Sequence, residues 1–460
     1  MNPEDLHGII IVDIGDAYVK VAVYYLAGWH CNHWDKSIII PNNVSSIFPQ
    51  EIRRKKFQVN FFIDHPYFSK EEQKSPVTSS LNLSDIGESK VPIELSLIQE
   101  EYEHLLVVLQ DKFGITGPPL KKLRRFTNLF EVLYLWSVYE YLCQKASEKL
   151  AINEKIEGWG LDAAFERRYW AILTSVQYMS LKRDQKRIQE MNRWITKQLG
   201  FSYLAVRERS VLSIMAHFPK LQQKLPCPAL FVDVGGEFLV SSALKLSENP
   251  VSSIRFFKPS VIQQTTHNGT AAGKKIEKRY MEIVNDHFEE LFPNLEDDFR
   301  QYLFKGGCSI RCHFSGSSSV KMGKNSHSLT IRVGDFEYPL PERAKWVPTL
   351  IFEPENYELM EYNSLQQIIG KTIKAGEIAG YTAESLLNTV IITGGVANYP
   401  GFEDRLKEEL EARYAVSSIE FFSTEDPQFG VIEGAKYLVE AFLPRSSFKR
   451  LFNFLKPRWV

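Results

Sequence analysis

Three glycine turns, each placed at the end of a β-rich run, constrain this chain more than any other feature. The first is Asp13-Ile14-Gly15-Asp16-Ala17-Tyr18-Val19-Lys20, the second Asp233-Val234-Gly235-Gly236-Glu237, and the third Thr393-Gly394-Gly395. Glycine adopts positive φ at little cost, and without a β-carbon it lets a phosphate approach main-chain N–H groups. Asp13 and Asp233 close the strands ahead of the first two turns, where a carboxylate can hold the water shell of a Mg²⁺ ion. Taken singly, Asp-Gly and Gly-Gly are ordinary hairpin turns. Taken in order, as hairpin, hairpin and strand–Gly-Gly–helix, they predict an α/β nucleotide fold of two lobes.

Length and composition fit that expectation. The 460 residues suit two to three domains, or one large two-lobed body. Apolar residues at 44% and charged residues at 24% exclude a disordered, collagen-like or heptad-dominated chain. The high aromatic share, 13%, implies well-filled cores or interfaces. With 55 basic and 56 acidic residues the net charge is −1. That lacks the footprint of a general nucleic-acid binder, so no direct nucleic-acid partner is expected. Met1–His7 is polar and acidic, no run of about 18 apolar residues occurs, and the cysteines number only five. These point to an intracellular, reducing setting, nucleus or cytoplasm alike. Cys308, Cys312 and His313, and separately His30, Cys31 and His33, are ligand types without a standard finger spacing, so no metal site is assigned.

Periodicity places the turns. Residues 8–28 read as a hairpin, 126–150 as a long helix, 183–199 as an amphipathic helix capped by Gly200, and 229–244 as a second hairpin. Residues 330–338 read as one strand, 363–379 as a helix, 389–393 as a strand and 401–414 as a helix. The aspartate-glycine hairpin near residue 13 recurs near residue 233, each time followed by helical material, which points to two related lobes. The expected division is a first lobe over 1–225, with insertions at 50–95 and 113–165, a second lobe over 226–443, with a loop insertion near 305–330, and a tail over 444–460.

This ordered set resembles the actin superfamily, which also holds DnaK-type chaperone ATPases and sugar kinases. The densest patch, Gly394-Gly395-Val396-Ala397-Asn398-Tyr399-Pro400-Gly401-Phe402-Glu403-Asp404-Arg405, is similar to actin's GG-x-x-x-YPG-x-x-DR. Glu342-Arg343, Pro348, Phe352 and Pro354 resemble its ER…P…F-x-P stretch, and Val211-Leu212-Ser213 its VLS helix. Phe231-Val232-Asp233-Val234-Gly235 and Asp13-Ile14-Gly15-Asp16-Ala17 look more like divergent actin-related proteins. The resemblance implies a two-lobed actin-like fold of ribonuclease H-like repeats with helical and loop insertions. It implies a site for ATP or ADP with Mg²⁺ built from Asp13, Gly15, Lys20, Asp233, Gly235, Gly236, Gly394 and Gly395, Lys20 falling where actins carry a phosphate-contacting lysine. It further implies protein partners in a multi-subunit assembly.

The departures from the family fall on the chemistry. Asp16 stands where actins have a small polar residue that bonds the terminal phosphate. A carboxylate about 4 Å from a phosphate charge is repelled by roughly 1 kcal/mol in water and about 4 kcal/mol at a protein-like dielectric. Gly236 and Glu237 replace the second loop's Asp-Gly, and Arg209 replaces the glutamine that orients the attacking water. An arginine steadies a phosphate but accepts no proton. The alternative to a ligand is internal pairing of Asp16 and Glu237 with Lys20 and Arg209. Hydrolysis is therefore expected to be slow or absent, and the expected role is a structural or scaffold subunit, with an active ATPase and a membrane-tethered actin-like protein as alternatives. Gly269–Lys275 superficially resembles a P-loop but is one residue short and lacks the Ser/Thr that meets Mg²⁺.

In the tail, Phe448, Leu451, Phe452, Leu455 and Trp459 fall on one helical face opposite Arg445, Lys449, Arg450, Lys456 and Arg458. Such a basic amphipathic segment suits its own protein body, a partner groove or an anionic membrane surface.

Overall fold

The computed structural model of the chain is mixed α/β, with two six-stranded sheets and a separate two-stranded hairpin. It describes residues 6–442 except 16, 27–32, 49–51, 54–94, 124–125, 127, 159–164, 177–181, 237, 249–256, 263–264, 270–272, 274, 277, 280–281, 284–285, 287–329, 334–335, 340–346, 348, 358–361, 400 and 417. Asp16, Glu237, Cys31, Cys308, Cys312, His313, most of the 50–95 insertion, the 305–330 loop apart from Thr330, and the tail lie outside the described residues. Two compact units divide the chain. One comprises Met1–Ile10, Val21–Ile172 and Arg183–Val206; the other comprises Ile11–Lys20, Leu173–Lys182 and Arg207–Val460. They interleave along the chain, and the turn of the first hairpin goes with the second unit.

The first sheet is built from β1 (Gly8–Ile14), β2 (Tyr18–Tyr25), β3 (His33–Trp34), β4 (Ile38–Pro41), β5 (Trp170–Val176) and β6 (Tyr203–Glu208), in the order β3-β2-β1-β5-β6 with β4 on β2. β1 is buried from Gly8 to Asp13, the continuous apolar run of a central strand. The second sheet uses β7 (Cys227–Val234), β8 (Leu239–Glu248), β9 (Phe257–Val261) and β10 (His267–Gly269). Next in the chain comes the separate hairpin, β11 (Thr330–Val333) and β12 (Phe336–Pro339); β13 (Val390–Thr393) and β14 (Phe421–Phe422) complete the second sheet. Its order is β10-β8-β7-β13-β14 with β9 on β8. In both sheets the first hairpin strand is central, the second carries two further strands, and two later strands lie on the other side. The strand order recurs as the aspartate-glycine hairpins do.

The single strand expected over 330–338 is instead the β11–β12 hairpin, with Val333 opposite Phe336. The Gly334-Asp335 pair in its middle is turn-favouring chemistry that an alternating pattern hides.

In the first unit the core element is the helix Leu129–Lys149, which buries Phe130, Leu133, Tyr134, Val138, Tyr139 and Leu142. Its buried phenols keep partners: Asn42 Nδ2 donates to Tyr134 Oη at 3.0 Å, and Tyr139 Oη donates to Asn192 Oδ1 at 2.6 Å. Arg167 forks onto Glu140 at 2.9 and 2.7 Å from the same helix.

In the second unit the helix Leu365–Ile378 opens on a capping box, Ser364 with Gln367, and lays Leu365, Ile368, Ile369 and Ile373 onto the sheet residues Leu230, Val232 and Leu239. Each such aliphatic side chain contributes about 1.5–3 kcal/mol on full burial. The helix Phe402–Tyr414 adds Phe402, Leu406 and Leu410 to the same core. A second helix pair, Arg209–Met215 and Gly430–Phe442, meets almost backbone to backbone. A β-carbon at Gly434 would stand 1.6 Å from the Leu212 carbonyl oxygen. That contact fixes the base of Arg209. Among the described residues no helix is long and apolar enough to cross a membrane.

Candidate functional site

The two hairpins are built alike. Gly15 N–H donates to the Tyr18 carbonyl at 3.0 Å, and Gly235 N–H donates to the Phe238 carbonyl at 3.0 Å. Each turn leaves an aspartate near the end of its first strand. They differ in the returning strand. In the first hairpin, seven residues after Asp13, Lys20 comes back with its Nζ 3.0 Å from Asp13 Oδ2. In the second, the residue seven after Asp233 is Val240, its register partner in β8. The returning strand therefore sets no cation opposite Asp233.

Arg209 supplies it. As first residue of the helix after β6, it places Nη1 2.8 Å from Asp233 Oδ2, Nε 3.0 Å from Asp13 Oδ1 and Nη2 3.3 Å from Asp13 Oδ2. Ser175, near the end of β5, donates its hydroxyl to Asp13 Oδ1 at 2.5 Å. Asp13 is 0% exposed, Asp233 3%, and Lys20 and Arg209 7% each. Among the described residues, two carboxylates and two cations make a buried quartet of zero formal charge.

Burial works against the Asp13 charge, yet Arg209, Lys20 and the Ser175 hydroxyl outweigh it and hold this carboxyl well below the usual range. Asp233 moves the other way. Burial, helped by the Asp13 charge, raises it despite Arg209 and Lys20. Asp233 Oδ1 is buried and has no hydrogen-bond partner among the described residues. It lies 3.9 Å from where a Gly235 β-carbon would stand.

All three glycine turns converge within this unit. A β-carbon on Gly236 would meet the Ala17 β-carbon at 3.3 Å, so the first two turns touch. Gly394, at φ +107°, lies so close to Val234 that its β-carbon would fall 2.3 Å from the Val234 carbonyl oxygen. Its N–H donates to the Pro427 carbonyl at 3.1 Å. Gly395 is exposed, and among the described residues nothing lies within 4 Å of its would-be β-carbon. Gly273, at the rejected P-loop lookalike, donates its N–H to the Gly235 carbonyl at 3.1 Å and so packs against the second turn.

The internal pairing of Asp16 and Glu237 with Lys20 and Arg209, expected as the alternative to a ligand, falls on carboxylates outside the described residues; among the described residues both cations engage the hairpin aspartates. The sequence does not point to Ser175. Its only sequence signal is a hydroxyl near the end of a β-rich run, which says nothing of a partner 162 positions away.

A Mg²⁺ ion requires near-octahedral oxygen ligands at about 2.0–2.1 Å. Both Asp13 oxygens and Asp233 Oδ2 already face cationic nitrogens or a hydroxyl. Only Asp233 Oδ1 is open, on a carboxylate that Arg209 neutralises. A dication does not fit at these carboxylates with Arg209 in place. Among the described residues no group of three or more His, Cys, Asp or Glu could hold a metal ion elsewhere. No protein-family model matches the chain, and no curated protein matches it.

Proposed function

We propose that the chain is a divergent actin-related protein that serves as a structural subunit of a larger protein assembly and hydrolyses ATP slowly or not at all. The observation that carries the reading is Arg209 joining Asp13 to Asp233. A water attacking a terminal phosphate needs an oriented acceptor and a polarising ion. The residue standing at the expected water-orienting position is a donor only, and it occupies the carboxylates that an ion would use. The converging glycine turns favour an α/β nucleotide fold whose ligand, ATP or ADP, braces the folded form by mass action.

The test is phosphate release from Mg-ATP by the purified full chain, together with identification of the proteins that co-purify with it in stoichiometric amount. The expected outcome is no release above background and a stable set of partners. Magnesium-dependent turnover abolished by Asp13→Ala or Asp233→Ala would overturn the reading.

A further inference from the structure

The charge balance of the buried quartet has a second implication. Lys20 serves Asp13 from within its own hairpin, while the matching place in the second hairpin is Val240. Arg209 makes good that missing charge, and it does so at both carboxylates at once. A guanidinium suits the task because its planar fork reaches two acceptors and cannot lose its proton. Its helix is held backbone to backbone by Gly434, so the cation is built into the frame. A dication added here would leave a net buried charge of about +2, which a low-dielectric interior strongly disfavours. Removing the arginine would leave two carboxylates facing one lysine, a balance that invites a metal.

We propose that Arg209 is the resident cation of this site, standing where a divalent metal would otherwise be held by Asp13 and Asp233, and that any polyphosphate ligand is taken without a metal at these carboxylates. Only the second clause rests on the nucleotide reading above.

The test uses Mn²⁺ alone, an octahedral oxygen-seeking ion that stands in for Mg²⁺, titrated into the full chain and followed by the electron paramagnetic resonance of the free ion. Wild type and Asp233→Asn are expected to bind Mn²⁺ identically. Arg209→Gln is expected to gain one site at least about tenfold tighter than the surface binding of wild type, and Arg209→Lys, which keeps the charge, is expected to gain none. A site in wild type that Asp233→Asn removes overturns the proposal, as does a folded Arg209→Gln that gains nothing. Should Arg209→Gln fail to fold, the comparison of wild type with Asp233→Asn decides. Thermal shifts with ADP in Mg²⁺ and in EDTA form a separate arm. Equal shifts support the metal-free clause, and a shift that needs Mg²⁺ overturns it. The absence of any shift removes the nucleotide brace proposed above and leaves the Mn²⁺ comparison to judge Arg209.

Discussion

Arg209 Nη1 stands 2.8 Å from Asp233 Oδ2, and this ion pair spans two elements whose hairpin and helix share no local sequence signal. Taking away one partner of a buried pair costs about 3–5 kcal/mol, because the other charge is left without compensation. Arg209→Met is expected to lose that much in urea denaturation. The double variant with Asp233→Asn is expected to recover part of it, since the stranded charge is gone. A loss below about 1 kcal/mol for the single variant would show the pair to be open to water.

Adjacent glycines of the third turn should respond in opposite ways. Gly394→Ala forces a β-carbon to 2.3 Å from the Val234 carbonyl and places alanine at φ +107°. Gly395→Ala meets nothing within 4 Å. The first is expected to cost more than about 3 kcal/mol and the second less than about 0.5 kcal/mol. Thermal melts of the two variants check this, and equal effects would contradict the packing described.

Gly434→Ala tests the helix pair that seats Arg209. Its β-carbon would overlap the Leu212 carbonyl at 1.6 Å, against backbone that has no rotamer to yield. The helices must part, at a cost of about 3 kcal/mol or more. Arg209 should then shift with its helix. The expected second sign is faster hydrogen exchange at the start of both helices; an unchanged melting point would refute the close approach.

Glu208 and His217 should give opposite pH responses. Burial pushes the Glu208 carboxyl up to about 7, against the pull of Arg207. Its contribution to stability is full below the unfolded value of 4.5 and is lost as pH rises through about 7. Burial pushes His217 down to about 4, with Lys220 acting the same way. Its contribution is full above 6.5 and is lost as pH falls through about 4. Each complete swing is worth about 3 kcal/mol, so the two nearly cancel between neutral and mildly acid pH. Glu208→Gln is expected to lower the melting point on going from about pH 7 to about pH 5, and His217→Asn to raise it. Asp13, held below its ordinary range, adds its own loss only once pH falls below 3.8. A Glu208→Gln variant with a flat profile would contradict the burial assigned to these groups.

The hairpins, the long helix and the strand before Gly394 were legible because glycine turns and apolar periodicity are local signals. The helix expected over 126–150 runs from Leu129 to Lys149, and Gly200 takes the positive φ its capping place implied. The short strands β3, β10 and β14 have two or three residues each, too few for a period to register. The glycine turns could be named as a set from their order alone. The pairing of Arg209 could not, because it follows from where a helix start falls relative to two strand ends 24 and 196 positions away. The local signal stops at Lys20 seven residues after Asp13 and Val240 seven after Asp233; it does not say that Arg209 supplies the charge the second hairpin lacks. The interleaving of the two units was hidden for the same reason, since a chain that crosses back leaves no break in composition.

The contact between Gly434 and Leu212 also sets an order of events during synthesis. Until the ribosome has released the segment around residue 434, the helix carrying Arg209 lacks the backbone it leans on. A nascent chain stalled before that point would hold Asp13 and Asp233 without their firm clamp, leaving the nearly finished protein soft where those buried charges meet.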